Sequence, residues 1–112
     1  MNWIELTDEN QLKDIIEFSK KGFAVVYKHS HRCATCSMAL DRLERNWKDQ
    51  ELPNSQPFFV NVINARALSN KIAEAFGIRH ESPQLLIIKD GKCIYNASHL
   101  SISYPEVKRV AA

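Results

Sequence analysis

Phe23 to Trp47, FAVVYKHSHRCATCSMALDRLERNW, is the stretch that leaves this chain the fewest ways to fold. Phe23-Ala24-Val25-Val26-Tyr27 is a short apolar, β-branched run that begins directly after Gly22, the pattern of a buried strand. A polar segment follows, then Cys33-Ala34-Thr35-Cys36. From there Cys36, Ala39/Leu40, Leu43 and Trp47 recur on one face of a helix, with Asp41, Arg42, Glu44, Arg45, Lys48 and Asp49 on the others. A C-x-x-C pair is thereby placed at a strand-to-helix junction. Cys36 opens the apolar stripe and is expected to be buried, while Cys33 is expected to face solvent at the helix N-terminus.

One exposed and one shielded sulfur is what dithiol redox chemistry needs, because the thiolate is the nucleophile. A helix N-terminus offers unpaired N–H groups and the positive end of the macrodipole. Such sites bring a cysteine from about 8.5 down to roughly 3.5–7.5. Lys28, His31 and Arg32 add positive charge, and no carboxylate lies between Val26 and Leu40 to oppose it. Two other readings stay open: structural cysteines, or half of a zinc site. A closed zinc site takes four ligands, and the rest of the chain offers only Cys93 with one of His29, His31, His80 or His99. No second C-x-x-C or paired histidine motif completes the set, so redox chemistry is the favoured reading and no metal is expected.

At 112 residues the chain is expected to form one domain, residues 1–112, with a single core large enough to need no staples. A net charge of +2 is too small to argue for nucleic acid or an anionic membrane. The N-terminal MNWIELTDENQL is acidic and lacks the apolar segment of a signal peptide, and no apolar run is long enough to span a membrane. A cytosolic location follows as an expectation, where a C-x-x-C is catalytic or metal-bound more often than a structural disulfide. Nothing indicates an oligomer, so a monomer is the default.

In chain order, Trp3–Leu6 reads as a short edge strand, and Thr7 as the N-cap of a helix carrying Leu12, Ile15, Ile16 and Phe18. Lys20-Lys21-Gly22 closes that helix with a C′ glycine. The strand over 23–28 and the cysteine helix follow. Pro53 and Pro57 bracket a polar loop, Phe58–Ile63 is a second buried strand, and Asn64 caps a helix with Leu68, Ile72, Ala75 and Phe76 closed by Gly77. His80–Pro83 is a turn before a strand over Gln84–Ile88. Asp90-Gly91 then marks a hairpin into Lys92–Ala97, and Ser103-Tyr104-Pro105-Glu106 opens a last helix through Val110. The order (β)αβαβαββα, a βαβ unit followed by a hairpin and a helix, is that of an α/β, thioredoxin-like fold with a mixed sheet between helices. Function in such a sheet belongs at the carboxyl end of the central strand, where the C-x-x-C falls.

Two stretches carry a resemblance. KHSHRCATCSMALDRLE is similar to the active-site segment of the YtxJ-like proteins of the bacillithiol system, the monothiol bacilliredoxins. SNKIAEAFGIRHESPQLLIIKDGKCIYNASHLSIS resembles their C-terminal half. With the N-terminal helix pattern, the likeness covers nearly the whole chain, and KHS before the cysteine and HESPQ after the following helix set it apart from ordinary thioredoxins. The resemblance implies thiol–disulfide exchange that removes bacillithiol from S-bacillithiolated client proteins, with no bound cofactor and the small thiol as cosubstrate. It carries the nucleophile to Cys33 and the proline beside the site, cis in such folds, to Pro83. Ser82 before it is implied to offer main-chain hydrogen bonds to an extended substrate. The second cysteine position, usually serine in that family, is here Cys36, which can resolve a mixed disulfide internally. No W-C-G-P-C is present, and Tyr27 or Val26 stands where thioredoxin has an acid in the preceding strand.

Lys28 and Arg32 either hold the carboxylates of a small thiol or are simply solvated, and His29 and His31 either tune acidity or do nothing. Cys93, alone in the last strand, reads as a core thiol. The alternatives to a bacilliredoxin are a general dithiol disulfide reductase and a non-catalytic metal- or protein-binding module of the same fold.

Overall fold

The computed structural model describes every residue, Met1–Ala112. The elements run β1 (Ile4–Leu6), α1 (Leu12–Ser19), β2 (Phe23–His29), α2 (Ala34–Asn46), β3 (Ser55–Asn61), α3 (Arg66–Phe76), β4 (Gln84–Lys89), β5 (Lys92–Ser98) and α4 (Tyr104–Ala111). Single 3₁₀ turns at Glu9–Gln11, Asp49–Glu51 and His99–Ser101 fill the connections. The five strands form one sheet in the order β1-β3-β2-β4-β5. β2 pairs in parallel with β3 from Phe23↔Ser55 to His29↔Asn61, and antiparallel with β4 from Ala24↔Ile88 to Lys28↔Gln84. A strand with neighbours on both sides and helices over both faces must be apolar at successive positions, which is why its run does not alternate.

Alternation still decides which core each β2 side chain enters. Val25 and Tyr27 pack with Ala39 and Leu43 of α2 and Tyr104 and Val107 of α4. Ala24 and Val26 pack on the other face with Ile15 of α1 and Leu68 and Ile72 of α3. The sheet therefore separates two cores, and the single core expected from length is divided in this way. No helix is long and apolar enough to cross a membrane.

Several local signals resolve differently from their expectation. The first cap is Asp8, not Thr7: its Oδ1 accepts from the Asn10 N–H at 2.7 Å, and Gln11 Oε1 accepts from the N–H groups of Thr7 and Asp8 at 2.8 and 3.0 Å. The glutamine three residues on closes a capping box that Thr7 cannot close. Gly22 is not a left-handed cap; the positive-φ glycines are Gly77 and Gly91. Gly22 is required instead by close approach, since a Cβ there would lie 2.3 Å from the Asn54 carbonyl oxygen. Pro57 belongs to β3, opposite Val25, rather than to the preceding loop. β1 reaches only Phe58–Val60, so the strand has an open flank at Pro57, the kind of edge position where proline is tolerated. Asn64 does not cap α3; the position falls to Ala65, without a side-chain bond. Asn61 takes the local role, its Oδ1 accepting from the N–H groups of Ile63 and Asn64 at 3.1 and 3.3 Å. Trp47 lies just past α2 in extended backbone and packs beside Tyr104 with ring centres 5.7 Å apart and planes tilted by 59°. The hairpin turn has Asp90 and Gly91 at φ 52° and 76°, both left-handed as a two-residue turn of that type demands.

Candidate functional site

β2 ends at His29 and delivers the chain to Cys33, which is the N-cap of α2 with extended φ −116° and ψ 114°. An N-cap side chain accepts from the first helical N–H groups, and here the acceptor is sulfur: Cys33 Sγ takes the Cys36 N–H at 3.2 Å. Cys33 is partly exposed and Cys36 is buried. The Cys36 thiol hydrogen bond, then the N–H groups of Cys36 and Thr35, bring Cys33 below the ordinary thiol range against a small desolvation penalty. Burial pushes Cys36 the other way, opposed by the Ser82 hydroxyl and reinforced by Cys33. Hydrogen bonds at the helix start, more than the cations named from sequence, are thus what make the first sulfur acidic.

The loop before β4 completes the constellation. The Ser82–Pro83 peptide bond is cis. Ser82 Oγ lies 3.3 Å from Cys36 Sγ. Outside helices and sheet, no backbone hydrogen bond uses the N–H or carbonyl of Ser82, so both remain open beside the thiols. Beneath them the buried Tyr27 hydroxyl donates to the Cys36 carbonyl at 2.7 Å. Burial first, then the two cysteines, push its phenol up, so Tyr27 holds the first turn of α2 as a neutral donor.

With this geometry in view, comparison with known proteins is decisive for family. A sequence model described as "Monothiol bacilliredoxin BrxC" matches residues 4–107. The chain belongs to that family. Among solved structures, a candidate oxidoreductase with a thioredoxin fold is 26% identical, covers 96% of this chain and 92% of its own, and superposes with a TM-score of 0.81. Fasciola hepatica thioredoxin is 20% identical over 95% of this chain and 93% of its own, with a TM-score of 0.71. Trypanosoma brucei brucei thioredoxin is 15% identical over 95% and 84%, with a TM-score of 0.72. These two share the fold. Family and fold together make this bacilliredoxin-family chain a thioredoxin-fold protein of the thiol–disulfide oxidoreductase class, and relative to a monothiol family Cys36 supplies a second sulfur.

The other residues singled out by sequence disperse. Lys28 neither reaches the surface nor is solvated: it is 0% exposed, on the α3 side of the sheet, opposite the face where Tyr27 meets Cys36. Its Nζ donates to the Ser69 carbonyl at 3.1 Å and stands 3.2 Å from His80 Nδ1. An ammonium can only donate, so Nδ1 is the acceptor and the ring proton of His80 sits on Nε2. Burial brings Lys28 down to about 8. Odd–even alternation from Tyr27 contained this signal, but a lysine at a strand end reads as exposed. Arg32 is exposed, and its side chain forms no ion pair or hydrogen bond. His29 is buried against Tyr27 and Phe59, its Nδ1 without a partner and its basicity lowered by burial and then by His31. His31 is exposed beside Asn61. Cys93 packs against the α1/α3 core, donates to the Tyr95 carbonyl at 3.2 Å and is pushed up by burial. No three His, Cys, Asp or Glu side chains gather where they could hold a metal ion. The contributions missed from sequence are the side chains of Ser82 and Tyr27 on Cys36, and His80 on Lys28.

Proposed function

We propose that the chain reduces mixed disulfides between client proteins and a small thiol, bacillithiol or a close analogue, in a reducing cytosol. The observation that carries this reading is Cys33 at the N-cap of α2: partly exposed, accepting the Cys36 N–H through sulfur, and lowered in pKa by hydrogen bonds. Cys33 thiolate attacks the small-thiol sulfur of the mixed disulfide; the Cys33–small-thiol disulfide forms and the client leaves as thiolate. A second small thiol, or Cys36, then displaces the adduct. The open backbone of Ser82 beside Pro83 supports docking of an extended client segment. Arg32, unpaired at the surface next to Cys33, is the cation offered to the carboxylates of a small thiol; Lys28, buried, is withdrawn from that role.

The presence of Cys36 in hydrogen-bond contact with Cys33 favours a second reading, a general dithiol reductase without small-thiol specificity. The Cys36→Ser variant separates the two. Mixed with an S-bacillithiolated protein and followed by intact mass, it is expected to accumulate the small-thiol adduct on Cys33 and release free client. A dominant disulfide between variant and client overturns the bacilliredoxin reading while leaving Cys33 as nucleophile, because attack has then fallen on the client sulfur.

A further inference from the structure

A buried thiol that must act as a nucleophile needs something to stabilise its thiolate. Cys36 is 0% exposed and sits at the head of an apolar stripe. The acid expected in the preceding strand of a thioredoxin is absent, and the hydroxyl that stands there, Tyr27, is committed to the Cys36 carbonyl at 2.7 Å. The side-chain oxygen within hydrogen-bond reach of Cys36 Sγ is Ser82 Oγ, at 3.3 Å. That hydroxyl has no other hydrogen-bond partner, so it is free to donate to the Cys36 sulfur, whose own proton is directed at Cys33. Its loop is also anchored on both sides. The Pro83 carbonyl accepts from the His99 N–H at 3.1 Å, and Gln84 pairs with Lys28 in β2 and Ser98 in β5. His80 is tied to buried Lys28 and to Ser69 Oγ, each at 3.2 Å.

We propose that the Ser82 hydroxyl is a catalytic group of an internal resolving step, donating a hydrogen bond to the Cys36 thiolate as it attacks Cys33. This rests on reading Cys36 as a resolving thiol. The step balances as follows. Cys36 gives its proton to solvent, its sulfur forms a bond to Cys33 Sγ, and the Cys33–small-thiol bond breaks with the small thiol leaving as thiolate. In this step the Cys36 sulfur is oxidised and the small-thiol sulfur reduced; over both exchanges the two cysteines lose two electrons, and the client–small-thiol disulfide is the oxidant.

The test uses 5,5′-dithiobis(2-nitrobenzoate) on the reduced full chain in a Cys93→Ala background, where the third thiol is silent. The fast bimolecular release of nitrothiobenzoate reports attack by Cys33, and the following unimolecular release reports Cys36 displacing the probe. Ser82→Ala is expected to slow the second phase at least about tenfold more than it changes the fast phase, the usual worth of a hydrogen bond to a charged group. Ser82→Thr, which keeps a hydroxyl, is expected to restore most of the rate. A second phase unchanged in Ser82→Ala overturns the proposal, as does one equally slow in Ser82→Thr, which would mean that loop shape matters and the hydroxyl does not. A fast phase slowed by the same factor as the second also counts against it. Release of a single nitrothiobenzoate by the Ser82-containing protein removes the resolving role of Cys36 itself, an outcome distinct from any failure at Ser82.

Discussion

Cys33 owes its acidity to neighbours only a few atoms away, and this makes its behaviour separable by conservative change. The first-ranking cause is a hydrogen bond from the Cys36 side chain, followed by backbone N–H groups that no side-chain substitution removes. Serine at 36 retains a donor and alanine does not. The iodoacetamide rate of Cys33 in Cys36→Ser is therefore expected to have its midpoint below the unperturbed value of about 8.5, and Cys36→Ala a higher midpoint than Cys36→Ser. A Cys36→Ser midpoint at 8.5 or above would remove the case for activation. Lys28 makes the opposite kind of prediction. Its folded value, about 8, lies below its unfolded value near 10.5, so folding penalises the protonated amine. Between about pH 8 and 10.5 the unfolded chain binds more protons, and stability contributed by this residue rises with pH across that window. Lys28→Met removes the effect. Urea midpoints from pH 7 to 10 are expected to show wild type gaining on the variant above pH 8; a constant difference would show that the ammonium carries no such penalty.

At the scale of elements, two glycines that follow helices are required for different physical reasons. Gly77 terminates α3 in the left-handed region at φ 65°, with nothing within 4 Å of where a Cβ would stand. Gly77→Ala is expected to cost roughly 1–2 kcal/mol, from backbone conformation alone. Gly22, between α1 and β2, has no such φ, but its missing Cβ makes room for the Asn54 carbonyl, which also accepts the Phe23 N–H at 2.8 Å. Gly22→Ala must push that loop away and is expected to cost about 1–3 kcal/mol, as overpacking does. Double substitution distinguishes the mechanisms: adding Asn54→Gly, which loosens the loop, should recover part of the Gly22→Ala loss in thermal unfolding and none of the Gly77→Ala loss.

The whole molecule is two apolar cores sharing one sheet, with β2 contributing alternate side chains to each. Leu43 of α2 and Ile72 of α3 are fully buried on opposite faces. Leu43→Ala and Ile72→Ala are each expected to lose about 2–5 kcal/mol. Both tryptophans, Trp3 and Trp47, pack on the α2/α4 face. If the shared sheet makes unfolding cooperative, tryptophan fluorescence and far-UV circular dichroism will give coincident denaturation curves even for Ile72→Ala, whose cavity is on the other face. Curves that separate would mean that the two faces unfold independently.

The order of strands and helices was legible because periods of 2 and 3.6 are local, and because glycines, prolines and capping residues punctuate them. The place of Cys33 at a strand-to-helix junction, and the burial of Cys36 behind it, follow from the same few residues on either side. The resemblance put Ser82 and Pro83 beside the site, but which side chains bear on the sulfurs was not legible. Ser82 comes to Cys36 from 46 positions away, and Lys28 meets the Ser69 carbonyl across 41. Gly22 is demanded by a carbonyl at position 54, and Pro57 is admitted to a strand by the short reach of β1. Each of these depends on atoms brought together only when the sheet closes. The sequence by itself determined the elements and the place of Cys33 at the start of α2. The tertiary structure decided which groups act on it, and withdrew Lys28 from the surface, because the second face of β2 is covered by α3.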